Sequence, residues 1–201
     1  ISSDLIPFGS SPVNALPWWY IHAEAFQHIG AKIRKSGMRV SFHPGQYTVL
    51  NSPTEDVGER AIADLIYHDK ILAALGTDTT NKIVLHVGGI YGDKKEAIER
   101  FEQNFRRLPE TVQNRLILEN DDRLYNIEEV LELAHRLQIP AVYDNLHHAI
   151  NPPASGGADP YWIAEAKKTW KMTDGNQKIH YSQQAPGKRP GAHTDTIDLE
   201  T

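Results

Sequence analysis

The 201-residue chain has no cysteine, which excludes a disulfide scaffold, a cysteine-ligated zinc site and thiol catalysis together. It also lacks any run of about 18 apolar residues, so no membrane-spanning helix and no membrane partner are expected. No signal peptide is visible, and the expected location is cytoplasmic. Positive charge is scarce: 21 Lys and Arg against 26 Asp and Glu leave a formal net charge of -5. Taken alone, that balance argues against a nucleic-acid partner. Acidic side chains that hold divalent cations reverse the argument, because two or three such ions cancel most of the deficit. The chain opens on Ile1 without a methionine and ends at Thr201 just after a new motif, which is the pattern expected of a fragment.

What is present is a repeated arrangement. Met38 to Phe42 suits a buried strand, His43 follows at its tip, and Pro44-Gly45 cannot continue the ladder. The same ending recurs at Ile83-Val84-Leu85-His86, Leu116-Ile117-Leu118-Glu119, Ala141-Val142-Tyr143-Asp144 and Lys178-Ile179-His180. One histidine or aspartate at a strand end is ordinarily a hydrogen-bonded structural residue. Five such endings with helical segments between them are not explained that way.

The segments between carry helix signals. Leu16 to Ser36 has Ile21, Ala25, Ile29 and Ile33 on one stripe. Ser52-Pro53-Thr54-Glu55 reads as a capping box for a helix burying Val57, Ala61, Leu65 and Leu72. Asp93 with Glu96 opens a helix burying Ala97, Phe101 and Phe105, and Asn126 with Glu129 opens one whose stripe is Ile127, Val130, Leu131, Ala134 and Leu137. Tyr161 to Trp170 is the last expected helix, and Ile1 to Pro7 adds a sixth candidate strand. Strands alternating with helices make a parallel sheet. Closed into a barrel, that sheet brings all five tips to one face. The expected fold is therefore α/β, a TIM-type (β/α)8 barrel over 1–201 as one catalytic domain. It is incomplete, with about six βα units visible where a full barrel typically takes roughly 250 residues.

The candidate metal ligands are His43, His86, Glu119, Asp144, His147, His180 and His193, with His147 joining Asp144 through a D-x-x-H spacing. Imidazole and carboxylate without sulfur suit Mn²⁺, Zn²⁺ or Fe²⁺ rather than Ca²⁺. The set exceeds what one tetrahedral ion needs, which points to two or three ions. Clustered ions are the usual apparatus of phosphodiester cleavage. Sugar isomerases also place metals in such barrels, so the ligands alone leave the substrate open. In a strand, residues two apart share a face, so if His180 faces the barrel interior Lys178 is buried with it and needs a partner. The glycines at 88, 89 and 92 with Lys94 suit either a phosphate held by backbone N–H groups and the lysine or loop geometry alone, and Lys188 and Arg189 suit a phosphate backbone or solvent equally. Asp121 and Asp122 read as turn or cap residues, His68 as a satisfied core histidine, and His22, His28 and His135 as surface groups.

SFHPGQY, KIVLHVGGIYGDK, RLILENDD, DNLHH, KIHYS and AHTDTI, in that order, resemble the ultraviolet-damage endonuclease family over nearly the whole length. The resemblance implies a TIM-type barrel related to endonuclease IV and a manganese-containing cluster of two or three ions. It also implies incision of damaged double-stranded DNA 5′ to pyrimidine dimers and some other lesions, leaving a 3′-hydroxyl and a 5′-phosphate. No protein partner is implied. Carried over by motif, the seven ligands above hold the metals, and Lys178, Glu119 and His86 are the expected catalytic residues. The lysine matching Lys178 is carboxylated in family members. Gln46 and Tyr47 match the pair that probes the lesion, and wedging a side chain into the stack costs least where pairing is already weakened. Two departures stand out: Ser11 occupies a place where the family carries histidine, and the family's first and last strands lie outside residues 1–201. The competing readings are a related abasic-site endonuclease, a sugar isomerase, which Gln46-Tyr47 disfavours, and a barrel that binds damaged DNA without cutting it.

Overall fold

A computed structural model describes residues 1–199. Two helices, α1 (Trp18–Ile21) and α2 (Ala23–Ser36), precede the long α3 (Glu55–Ala74) and strand β1 (Ile83–His86). There follow α4 (Lys94–Arg107), α5 (Glu110–Arg115), β2 (Leu116–Glu119), α6 (Ile127–Leu137), β3 (Ala141–Asp144), α7 (Asn145–Ile150), α8 (Asp159–Lys168) and β4 (Ile179–His180). The strands pair in parallel in chain order, β1-β2-β3-β4. Phe42 joins them through a parallel bridge to Ile83, its N–H donating to the Lys82 carbonyl at 3.0 Å.

The period of two along each strand sorts the side chains. Ile83, Leu85, Leu116, Leu118, Ala141 and Tyr143 enter the main core with the helices, where Phe101 of α4 and Leu65 of α3 are fully buried. Each such side chain contributes roughly 1.5–3 kcal/mol. The opposite faces place Val84, Ile117 and Val142 in a separate small cluster, with Trp170 against it. On that same face, two residues further along each strand, stand His86, Glu119 and Asp144. Ser41 with His43, and Lys178 with His180, repeat the spacing at the two ends of the array.

The array is curved as a barrel is. Adjacent strands lie about 4.8 Å apart, so four steps across a flat sheet would separate its ends by about 19 Å. Yet the rings of His43 and His180, from the two ends, stack at 5.9 Å. Across the same gap Lys178 Nζ donates to Ser41 Oγ at 2.5 Å. This is an arc of the TIM type, with the ligand-bearing tips at its carboxyl-terminal mouth.

Several sequence expectations need correction. Ile1 to Pro7 forms turns rather than a strand, leaving five strand positions instead of about six. The expected helix from Leu16 breaks at His22, and its stripe is wrong: Ile21 and Ile29 are exposed while α2 buries Phe26 and Gly30. Gly30 decides the face, because a Cβ there would sit 2.0 Å from the Leu75 carbonyl oxygen, so α2 lies closer to the end of α3 than any larger residue permits. The capping box at α3 does not form. Thr54 is the N-cap without a side-chain bond, and Ser52 Oγ accepts from the Thr54 N–H instead. Asp93 and the Asn126–Glu129 box do cap α4 and α6. The last helix runs over Asp159–Lys168 rather than Tyr161 to Trp170.

Candidate metal centre

Glu119 stands at the middle of the arc, 1% exposed, and receives side chains from both ends of it. His43 Nε2 lies 2.8 Å from Oε2 and His180 Nδ1 2.6 Å from Oε1. His86 Nε2 is 3.7 Å from Oε2, and His147 Nδ1 lies 3.9 Å from Oε1. Burial would raise the Glu119 carboxyl, but hydrogen bonds from His180 and His43, with the charge of His86, hold it well below the ordinary carboxylate range. Burial opposes charge on His43, yet the bond to Glu119 outweighs it and raises that imidazole. His86, more deeply enclosed, is pushed down by burial.

Two groups of three donor atoms gather closely enough for an ion, His43 with His86 and Glu119, and Glu119 with Asp144 and His147. The donor set fits divalent transition ions: imidazoles and carboxylates outnumber what hydrogen bonding among themselves requires, and the buried His86 Nδ1 has no partner. Asp144 Oδ1 accepts from the His147 N–H at 2.9 Å, which turns the chain into α7 and brings the two side chains to one place. His147 Nδ1 donates to the Asn120 carbonyl at 2.8 Å, leaving Nε2 with the lone pair. His193 stands at the rim, its ring 6.3 Å from that of His147. Six of the seven sequence-derived ligands thus meet around Glu119 and Asp144, and the seventh borders them.

Asn120 is a residue the sequence reading missed. Fully buried, it donates from Nδ2 to the Asp144 carbonyl at 3.1 Å and accepts the Asp144 N–H on Oδ1 at 2.9 Å, clamping the third strand to the second at the ligand level. Its only sequence signal is its place after Glu119.

A cleft of about 610 Å³ opens over the centre, bordered by His86, His147, His193, Gln46, Tyr91 and Arg189. Gln46 and Tyr47 are both exposed. Lys188 is exposed on the loop carrying Arg189. Lys94 is not free for a phosphate: its ammonium is held by Glu129 Oε1 at 2.6 Å and the Leu124 carbonyl at 2.5 Å, so it ties α4 to α6. Lys178 is depressed by burial, with Glu119 opposing the shift. Ser11 lies in a turn, its hydroxyl accepting the Val13 N–H, and borders a groove along α3 rather than the cleft. Asp121 closes the turn after β2, accepting three successive N–H groups from Arg123 to Tyr125. His68 is buried but only half satisfied: Nδ1 bonds the Asp64 carbonyl, while Nε2 has no hydrogen-bond partner among the described residues; His22, His28 and His135 are exposed.

The family model described as UV-endonuclease UvdE matches residues 1–200. The chain belongs to this family. Over 206 residues it is 41% identical to the UV DNA damage endonuclease of Clostridium perfringens (strain 13 / Type A), covering 100% of this chain and 49% of that protein. With the UV DNA damage endonuclease of Bacillus mycoides (strain KBAB4) it shares 36% over 200 residues, covering 100% of this chain and 62% of the relative. This UvdE-family chain therefore spans about half to under two thirds of the curated relatives' length. The crystal structure of SacUVDE superposes with a TM-score of 0.93 at 38% identity, covering 100% of this chain and 67% of that one. D-psicose 3-epimerase from Clostridium cellulolyticum H10 aligns at a TM-score of 0.61 and 18% identity, over 87% of this chain and 64% of that one, a likeness of fold alone.

Proposed function

We propose that this chain carries the metal-dependent phosphodiester-cleaving centre of a DNA repair endonuclease that incises 5′ to UV-induced pyrimidine dimers and other lesions. One observation carries the reading: the cleft over the Glu119 cluster is bordered directly by Gln46, at the tip of an exposed turn. A site for a free sugar has no need of an exposed glutamine at its lip with an exposed tyrosine beside it in the turn. A duplex does, since side chains presented there enter the stack at a weakened pair. The family assignment and the names of its relatives agree with this reading.

Two or three divalent ions, which we assign as Mn²⁺, held by His43, His86, Glu119, Asp144, His147, His180 and His193, would activate water and stabilise charge on the phosphate oxygens. The chain's own groups set the frame. Glu119 spans both donor groups, so it fixes their separation. Asn120 holds Asp144 and orients His147 through its carbonyl. Arg189 and Lys188 lie where the strand's phosphates pass and neutralise them, which a chain of net charge -5 otherwise does little to do. Gln46 and Tyr47 occupy the space of the extruded dimer. Lys178, enclosed among the ligands, has the depressed amine needed to take up carbon dioxide and become an anionic neighbour of the cluster. Hydrolysis adds water at phosphorus and breaks its bond to the upstream 3′ oxygen, leaving a 3′-hydroxyl and a 5′-phosphate.

The test is incision of an end-labelled duplex bearing one cyclobutane dimer, with and without Mn²⁺, beside undamaged and abasic duplexes. A metal-requiring cut just 5′ of the dimer is expected. Cutting of the abasic duplex alone would assign the site to abasic-site repair, and selective binding with intact strands would make this a recognition barrel without chemistry.

A further inference from the structure

The turn that carries Gln46 and Tyr47 has an anchor of its own. The Thr48 N–H donates to the Gly45 carbonyl at 2.9 Å, so Gln46 and Tyr47 are the two central residues of a closed four-residue turn. Tyr47 is 65% exposed, and its ring lies back over Gly45, where a Cβ would come within 2.3 Å of it. A turn so exposed is loose unless something beneath it is fixed, and a loose probe loses affinity to ordering on every encounter.

Beneath it, Thr48 is buried, and its Oγ1 donates to Asp64 Oδ2 at 2.7 Å. Asp64 is itself buried on α3, a position where a carboxylate is costly. No lysine or arginine pairs with it among the described residues. Its nearest basic group is His68 Nδ1, 3.6 Å from Oδ2, and that nitrogen bonds the Asp64 carbonyl at 2.7 Å. Among the described residues, Thr48 is the one member of the turn whose side chain bonds a helix. The chain after the turn is held separately, by Asn104 on the Leu50 carbonyl at 2.7 Å and Arg100 on the Asn51 carbonyl at 3.0 Å. Before the turn, Phe42 packs on the His68 ring at 4.7 Å. The chain on both sides of the turn is held by contacts of its own, and Thr48–Asp64 is the tie to the turn itself.

We infer that Asp64 and Thr48 are positioning residues that latch the Gly45–Thr48 turn to α3 and keep Gln46 and Tyr47 poised for the duplex. The latch is a matter of the free protein's geometry, and its consequence for DNA rests on the lesion-reading role proposed above. The hydroxyl, not the bulk, of Thr48 carries it. Thr48→Val therefore releases the turn while keeping the shape, and Thr48→Ser retains it.

The experiment has two arms on the metal-loaded protein. Hydrogen exchange across residues 44–50 is followed without DNA, and binding is measured on dimer-containing and undamaged duplexes made uncleavable by a methylphosphonate at the scissile linkage. Loss of a charge-assisted hydrogen bond predicts about tenfold faster exchange in Thr48→Val. The preference for the dimer should fall about tenfold as well, with Thr48→Ser matching wild type in both arms. Asp64→Asn, which weakens the acceptor, should behave as Thr48→Val does and carries the comparison if that variant folds poorly. Wild-type exchange in Thr48→Val, or exchange in Thr48→Ser as fast as in Thr48→Val, overturns the latch. Equal binding of both duplexes by wild type would instead refute the lesion-reading proposal, and the exchange rates would still decide the latch.

Discussion

Among single residues, Asn120 shows how a group outside the proposed ligand set holds two of its members in place. Its amide satisfies both backbone groups of Asp144, and Asp144 in turn caps the His147 N–H. Asn120→Ala leaves the buried Asp144 N–H without its partner, strips one bond from the Asp144 carbonyl, and frees the two candidate ligands to drift. Outer-shell partners of this kind are worth about tenfold or more in metal affinity. Calorimetric titration of the Asn120→Ala protein with Mn²⁺ should show that loss, and unchanged affinity would mean that Asp144 and His147 are held by other contacts. Lys94 teaches the opposite lesson. A lysine beside a glycine-rich loop invites a phosphate, yet Glu129 and Leu124, 35 and 30 residues away, already hold its charge.

The helices differ in how firmly they start. In α6 the reciprocal box is complete, Asn126 Oδ1 accepting the Glu129 N–H at 3.1 Å and Glu129 Oε2 accepting the Asn126 N–H at 3.0 Å. Glu129 also holds Lys94, so the start of α6 is fastened to α4. Asn126→Ala should cost about 1 kcal/mol. In a domain of this size that lowers the unfolding midpoint by about 2–4 °C. Thermal denaturation followed by circular dichroism checks it, and a midpoint within 1 °C or so of wild type would show the box to be dispensable. At α3 the residues of a box are present, but Ser52 is drawn to the Thr54 N–H two residues on, and the helix begins uncapped.

The whole arc is tied together at both of its ends. At its amino-terminal end Lys82, 2% exposed, pairs with Asp174 at 2.6 Å and bonds the Asn114 carbonyl at 2.8 Å. At the mouth, Glu119 gathers imidazoles from His43, His86, His147 and His180. Ions bound there would stabilise the folded state by mass action, about 2.7 kcal/mol at a free concentration one hundred times the dissociation constant. Mn²⁺ should therefore raise the unfolding midpoint by several degrees, about 2–4 °C for each kcal/mol. Glu119→Gln should abolish the rise. A midpoint indifferent to Mn²⁺ in the wild-type protein would sink the metal reading before any DNA is added.

The sequence by itself determined what is local in the chain. A strand's period of two and the Pro44-Gly45 break were enough to read which residue stands at each tip. Bonds spanning three residues were enough to place the starts of α4 and α6. Reading failed where a distant neighbour decides the outcome. Gly30 faces inward because Leu75 lies against it, and Ile1 to Pro7 forms turns bonded to Ser41, His43 and Tyr67 instead of a strand. Only the tertiary structure decided that the five tips form one centre, since His43 and His180 meet through curvature that no local pattern encodes. It alone revealed Asn120 as a clamp, Asp64 as the anchor of Thr48 and Lys94 as a tie between helices. A hydrogen bond across strands or onto a helix has no spacing in the chain to announce it; the curvature of the arc and the packing of helices on it bring its partners within reach.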